Sequence, residues 1–293
     1  GTTDALANFA TNAAAGSFTI QNGRNFTRSG ALSNAGTITV GNGSTLTLSG
    51  GGTDTGTFTV GSGGTLQFSG GTSNLNAGAL LTGAGAVTIS AGTVNVNTSS
   101  AYRLTGTTSV TGGTLNAPGD LVSLTSPLSP SGTMFSVSGG SVTTGNAMVN
   151  VGAALTTPVG QPLLSLSGGS VTASDWIVGV NANLTVQGGL ISQSGGTIDG
   201  SAAYVEMVEA GTLTSTGSAP LIAMTGGTIS MASFDRDIVA VTSGTAVTLG
   251  GPLLSLTSGS PTVDISGTVL NVFDGTVTGP ADGTALINVA SSS

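Results

Sequence analysis

The stretch AGTITVGNGSTLTLSGGGTDTGTFTVGSGGTLQFSGG, Ala35 to Gly71, nearly repeats itself. Gly36, Ile38, Val40, Gly43, Leu46, Leu48 and Gly50 recur twenty residues later as Gly56, Phe58, Val60, Gly63, Leu66, Phe68 and Gly70. Twenty residues upstream the series reads Gly16, Phe18, Ile20, Gly23, Phe26, Arg28 and Gly30, and only Arg28 departs from the apolar set. Within each copy, apolar residues alternate with threonine or serine, as in Thr37-Ile38-Thr39-Val40, which is the pattern of a strand with one buried face. Gly41-Asn42-Gly43 and Gly61-Ser62-Gly63-Gly64 supply the backbone freedom of tight turns. Each copy therefore predicts two short strands and two corners.

One copy cannot bury its own apolar face, so copies must stack, with rungs ~4.8 Å apart. The predicted fold is all-β, a single-stranded parallel β-helix or β-solenoid. Its internal ladder is Phe18, Ile20, Ile38, Val40, Leu46, Leu48, Phe58, Val60, Leu66 and Phe68. The competing architecture is an antiparallel sandwich or barrel, because Asn-Gly between alternating strands is also a hairpin signal. Coincidence of apolar positions and turns at one offset favours stacking.

Further along, the period lengthens. Phe135, Val137, Gly139-Gly140, Val142, Val151 and Leu155 recur after 29 residues as Leu164, Leu166, Gly168-Gly169, Val171, Val180 and Leu184. Pro220-Leu221-Ile222-Ala223-Met224 and the PLLSLTSG run from Pro252 continue the series. The reading is one continuous solenoid over 1–293: a cap or irregular first coil at 1–15, coils of ~20 residues over 16–75, and coils of ~27–32 residues over 76–293 with three strands each. The change of cross-section is placed at 73–85. At such spacings the chain makes ~10 to 12 coils, or ~50 to 55 Å of axis. The one helical candidate is Asp4 to Gly16, where alanines favour helix.

Composition narrows the function classes. Fifty glycines, 5% charged residues, no cysteine and no histidine lie far from the usual globular mixture, in which about 25% of residues are charged. The mean hydropathy of +0.38 argues against disorder. The basic residues are Arg24, Arg28, Arg103 and Arg236, too scattered for counterion release on nucleic acid. Without histidine or cysteine, Ser-His and Cys-His catalysis and the usual zinc sites are excluded. No apolar run approaches the ~20 residues of a membrane-spanning helix. The opening GTTDALANF has neither charged n-region nor apolar h-region, so any signal peptide is expected to be removed or to lie upstream.

Few groups could carry chemistry. Asp235 and Asp237 flank Arg236, and on a strand the two aspartates would share a face; a paired-carboxylate glycosidase needs such a pair across a cleft, whereas a solvated loop with local ion pairing needs none. Glu206 and Glu209 near Tyr204 read as a surface bulge before a weak cation site. The turns lack the aspartates of calcium-binding β-rolls, so calcium is not expected, nor any other metal or cofactor. Trp176 reads as packed against a coil edge or loop before a sugar-stacking platform. Sequons at Asn25, Asn42, Asn97 and Asn183 are expected by chance in so Asn-, Ser- and Thr-rich a chain. Outward Thr37, Thr39, Thr57 and Thr59 form a surface ladder that resembles the Thr-x-Thr arrays of ice-binding solenoids, although β-branching alone suits threonine to the pleat.

NAGTITVGNGSTLTLSGG and GTFTVGSGGTLQFSGG resemble the repeats of bacterial surface and secreted β-helix proteins, the filamentous haemagglutinin-like exoproteins and autotransporter passengers. The likeness is good over 16–71 and reduces over 85–293 to Gly-Gly-Ser/Thr-Val/Ile turns. It implies a non-enzymatic extracellular rod: a subunit of a surface fibre, or an adhesin stalk with a carbohydrate or protein receptor. The physical expectation agrees. TALINVASSS alternates without a charged stopper, and open solenoid ends template further strands, so self-association end to end is expected, through backbone pairing and van der Waals contact that tolerate salt. The alternatives are an ice-binding solenoid using its Thr ladders and a polysaccharide-processing β-helix enzyme.

Overall fold

The computed structural model describes residues 6, 8–200, 204–207, 211–231 and 236–290. The decisive repeat folds as stacked rungs: Thr37–Val40 pairs in parallel with Thr57–Val60, Ile38 over Phe58 and Val40 over Val60. Thr45–Leu48 likewise lies against Thr65–Leu75, Leu46 over Leu66 and Leu48 over Phe68. Strand pairing among the described residues is parallel throughout, so the chain is a parallel β-solenoid and the antiparallel sandwich is excluded.

A short coil has three sides, one more than the repeat predicts. The first wall runs from Asn25–Arg28 to Ile287–Ala290 through ten successive pairings, so eleven rungs stack with an axis of about 48 Å at the usual strand spacing. The second wall, from Thr11–Asn12 to Thr262–Ile265, was not expected in the short coils. In the first coils its inward residues are Asn12, Asn34 and Asp54, which break the apolar alternation. The third wall stacks Ser17–Ile20, Thr37–Val40, Thr57–Val60, Leu80–Gly83 and Tyr102–Leu104.

The first two walls meet at a glycine column that explains the persistent Gly-Gly turn. Gly92 and Gly140 have φ of 76° and 68°. A Cβ on either would sit 2.4 or 2.3 Å from the carbonyl oxygen of Gly71 or Gly113 in the coil below. Only glycine satisfies both the left-handed backbone and the close stacking.

Widening begins later than the expected 73–85. That segment merely stretches one coil to 23 residues, Thr57 to Leu80, and spacings return to 21 from Thr93 to Thr114. The step comes between Thr108 and Phe135, 27 residues apart, and spacing reaches 34 between Val205 and Val239. The chain between those strands replaces the third wall by two new ones. One starts at Val122–Ser123; the other starts where Leu128 bridges Leu155. Larger coils thus hold four short strands rather than three, because segments of two or three residues such as Leu155–Thr156 are too short to show a period.

Residues 6 and 8–16 form turns and the strand Thr11–Asn12 rather than a helix; Asp4 lies outside the described residues. Phe9 covers the first rung, with its ring 4.5 Å from Phe18 and 6.3 Å from Phe26. A continuous apolar cluster fills the interior from Ile20 to Leu254. Each fully buried Val, Leu, Ile or Phe contributes roughly 1.5–3 kcal/mol, so stability accumulates rung upon rung.

Candidate functional site

Ile20, Ile38, Val40, Leu46, Leu48, Phe58, Val60, Leu66 and Phe68 are buried, and Phe18, on the end rung, is partly exposed. Thr37, Thr39, Thr57 and Thr59 face outward from the third wall in register with Ser17 and Thr19. The hydroxyl columns stop where Leu80 follows Thr57 and Arg103 follows Thr82, so they span only a few rungs.

One lateral wall of the large coils gathers most of the remaining polar groups. Asp237 is held by the next coil: its Oδ1 accepts from the Thr268 N–H at 2.7 Å and the Thr268 hydroxyl at 2.8 Å, and its Oδ2 from Asn271 Nδ2 at 2.8 Å. Asp120 repeats the arrangement, accepting from the Ala147 N–H and from Asn150 Nδ2, both at 3.1 Å, while Asn150 Oδ1 accepts from Asn181 Nδ2 at 2.9 Å. These carboxylates stitch coils together. Asp235 and Glu209 lie outside the described residues.

Trp176 lies over Gly179, where a Cβ would come within 2.7 Å of the indole ring, and its N–H donates to Glu206. Burial pushes the Glu206 carboxyl above its ordinary range; the indole bond opposes this and the charges of Asp175 and Asp237 add to it. Asp175 is raised by burial and by Asp120, with Arg236 opposing. Tyr204 is fully buried in the interior rather than beside the acids. Among the described residues no group of three or more acids is placed to hold a metal ion, and no helix is long and apolar enough to cross a membrane.

The two ends differ. At the amino end, Ser17–Ile20 and Asn25–Arg28 are each paired on one side only among the described residues. A cavity of about 530 Å3 opens there, lined by Leu6, Phe18, Ile20, Arg24 and Phe26 among others. At the carboxy end, Ile287 and Val289 continue the inward columns of Leu254 and Leu256 yet are 43% and 69% exposed. Phe273, also in the last coil, is 74% exposed. Arg24 and Arg28 lie in the first coil; Asp264, Asp274 and Asp282 lie in the last.

Sequence reasoning missed the buried polar column. Asn12 Nδ2 donates to Asn34 Oδ1 at 2.8 Å, and the Asn34 N–H to Asp54 Oδ1 at 3.1 Å. The available signal was the twenty-residue offset from Asn34 to Asp54, a recurrence of polar rather than apolar character. No protein-family model, curated protein or solved structure matches the chain.

Proposed function

We propose that this chain is a non-enzymatic structural module of an extracellular or cell-surface fibre or adhesin stalk, and that its rod is extended by stacking a further solenoid on its end. The observation that supports this most is Val289. It occupies a column whose members Leu48, Phe68, Val110 and Leu166 are buried, yet on the last described rung it is 69% exposed. Among the described residues the Ile287–Ala290 strand is paired on one side only and carries no charge on its inward face, and an apolar edge of that kind favours strand addition. A heterologous contact of two different ends generates an open filament.

The resemblance of the 16–71 repeats to filamentous haemagglutinin-like exoproteins and autotransporter passengers supports the same reading, including a location outside the cell. Its polar lateral wall is built from carboxylates already bonded to neighbouring coils, as suits a scaffold.

Electron microscopy of the purified chain tests the proposal. Rods in multiples of about 48 Å are expected, the length of eleven rungs at the strand spacing. Particles that stay at one length at every concentration overturn it.

A further inference from the structure

We infer that Asn22 is a site of spontaneous covalent modification, deamidating through attack of the Gly23 backbone nitrogen, and that the fold withholds the same reaction from Asn42.

Asn22-Gly23 and Asn42-Gly43 are the two Asn-Gly pairs of the chain, twenty residues apart in successive coils. Glycine has no Cβ to shield its amide nitrogen, so the asparagine side-chain carbonyl is open to attack from the residue that follows it. The reaction needs only water. The glycine nitrogen loses its proton and bonds to the asparagine Cγ, the Cγ–Nδ2 bond breaks, and ammonia leaves. Water then opens the succinimide ring to aspartate or isoaspartate. All four residues are exposed, so access to solvent does not separate the two pairs. The state of the attacking nitrogen does.

The Gly43 N–H donates to the Gly63 carbonyl of the next coil at 2.9 Å. That bond must break before Gly43 can attack. The Asn42 side chain is also covered, because Gly63 lies so close that a Cβ there would strike Asn42 Oδ1. In the first coil neither restraint exists. The Gly23 N–H has no backbone acceptor among the described residues, and a Cβ on Gly23 would meet nothing within 4 Å. Over Asn22, a Cβ on Gly43 would meet only Gly23 backbone atoms, at 3.8 and 4.0 Å.

Backbone handedness accounts for the difference. Asn22 and Gly23 both have positive φ, 63° and 72°, and the Arg24 N–H closes the turn on the Gln21 carbonyl at 3.4 Å. Two left-handed central residues make the mirror-image turn. Asn42 keeps a negative φ, and only Gly43, at 68°, is left-handed. The change of sign rotates the 22–23 peptide relative to the 42–43 peptide, so its N–H does not meet the coil above as Gly43 meets Gly63. Modification leaves a new carboxylate in the turn that leads into Asn25–Arg28, and isoaspartate adds a methylene to the backbone there.

The test is ageing of the whole chain in dilute, mildly alkaline buffer, followed by tryptic digestion. Cleavage after Arg24 and Arg28 places Asn22 and Asn42 on different peptides, and tandem mass spectrometry assigns the amide-to-acid mass gain to its residue. Asn22 should convert on the order of tenfold faster than Asn42, the factor corresponding to about 1.4 kcal/mol for breaking one backbone hydrogen bond first. In concentrated urea the two rates should converge, because the fold alone distinguishes them. Asn22→Gly, which suits the left-handed φ and carries no amide, should abolish the early acidic species seen on isoelectric focusing while the circular dichroism of the strands is kept. Equal rates in the folded chain, a ratio that survives in urea, or an acidic species that persists in Asn22→Gly would each overturn the inference.

Discussion

The backbone N–H of Asn34 donates to the carboxyl of Asp54 from the coil below, at 3.1 Å, inside a column where both side chains are within 1% of full burial. Burial pushes the Asp54 pKa from 3.8 to about 7, against the Asn34 bond, which lowers it. The folded state therefore holds a proton that the unfolded chain has released. Stability is highest below pH 3.8, falls as pH rises toward 7, and levels off beyond. At about 1.4 kcal/mol per pH unit the penalty is roughly 4 kcal/mol. Asp54→Asn should remove this slope and be the more stable protein above pH 7. Urea unfolding of both proteins from pH 3.5 to 8 reads the difference, and equal slopes would contradict the buried-proton account.

Asp237 binds the following coil through three donors. Asp237→Ala leaves the Thr268 N–H and the Asn271 amide without that acceptor; both residues are exposed, so water can replace it and the cost should be about 0.5–1.5 kcal/mol per bond. Because repeats interact with their nearest neighbours, the loss should be local. Hydrogen exchange should accelerate at 268–272 and remain unchanged around Ile38 and Leu46. Uniform acceleration along the rod would mean that the solenoid unfolds as one cooperative unit.

Glycine at the wall corner is required twice over, by its φ and by the carbonyl beneath it. Gly92→Ala places a methyl 2.4 Å from the Gly71 carbonyl oxygen on a backbone of φ 76°. Left-handed backbone alone costs a residue with a Cβ roughly 1–2 kcal/mol, and the clash adds to it. Gly119→Ala, with nothing within 4 Å of the new methyl, should be close to neutral. Denaturant midpoints for the pair give the comparison, and similar midpoints would refute the corner argument.

The same contrast explains what was legible in the sequence. Ile38, Val40, Leu46 and Leu48 announce their walls because four-residue strands suffice to show alternation, and the Gly-Gly corners mark the coil period to the far end. The second wall of the early coils stayed hidden because Asn34 and Asp54 satisfy one another inside the core, where a hydrophobic pattern has nothing to register. The added walls of the large coils stayed hidden because Val122–Ser123 and Leu155–Thr156 are two residues long. Asp237 drew notice as a charged residue beside Arg236. Its partners Thr268 and Asn271 lie a full coil away, at a spacing that only the coil length reveals.

Trp176 is the only tryptophan, so its emission reports a single environment. Its indole N–H donates to Glu206, whose carboxyl is raised above the ordinary glutamate value chiefly by burial. Protonating Glu206 removes the charge that strengthens this bond, since hydrogen bonds to ionised acceptors are roughly twice as strong as neutral ones. Trp176 fluorescence should therefore titrate with a midpoint above the ordinary glutamate range, while the far-ultraviolet signal of the strands holds steady. Glu206→Gln keeps an acceptor oxygen but cannot ionise, so its emission should not follow pH in that interval. Identical titrations for the two proteins would place the response on Asp175 and break the assignment to Glu206.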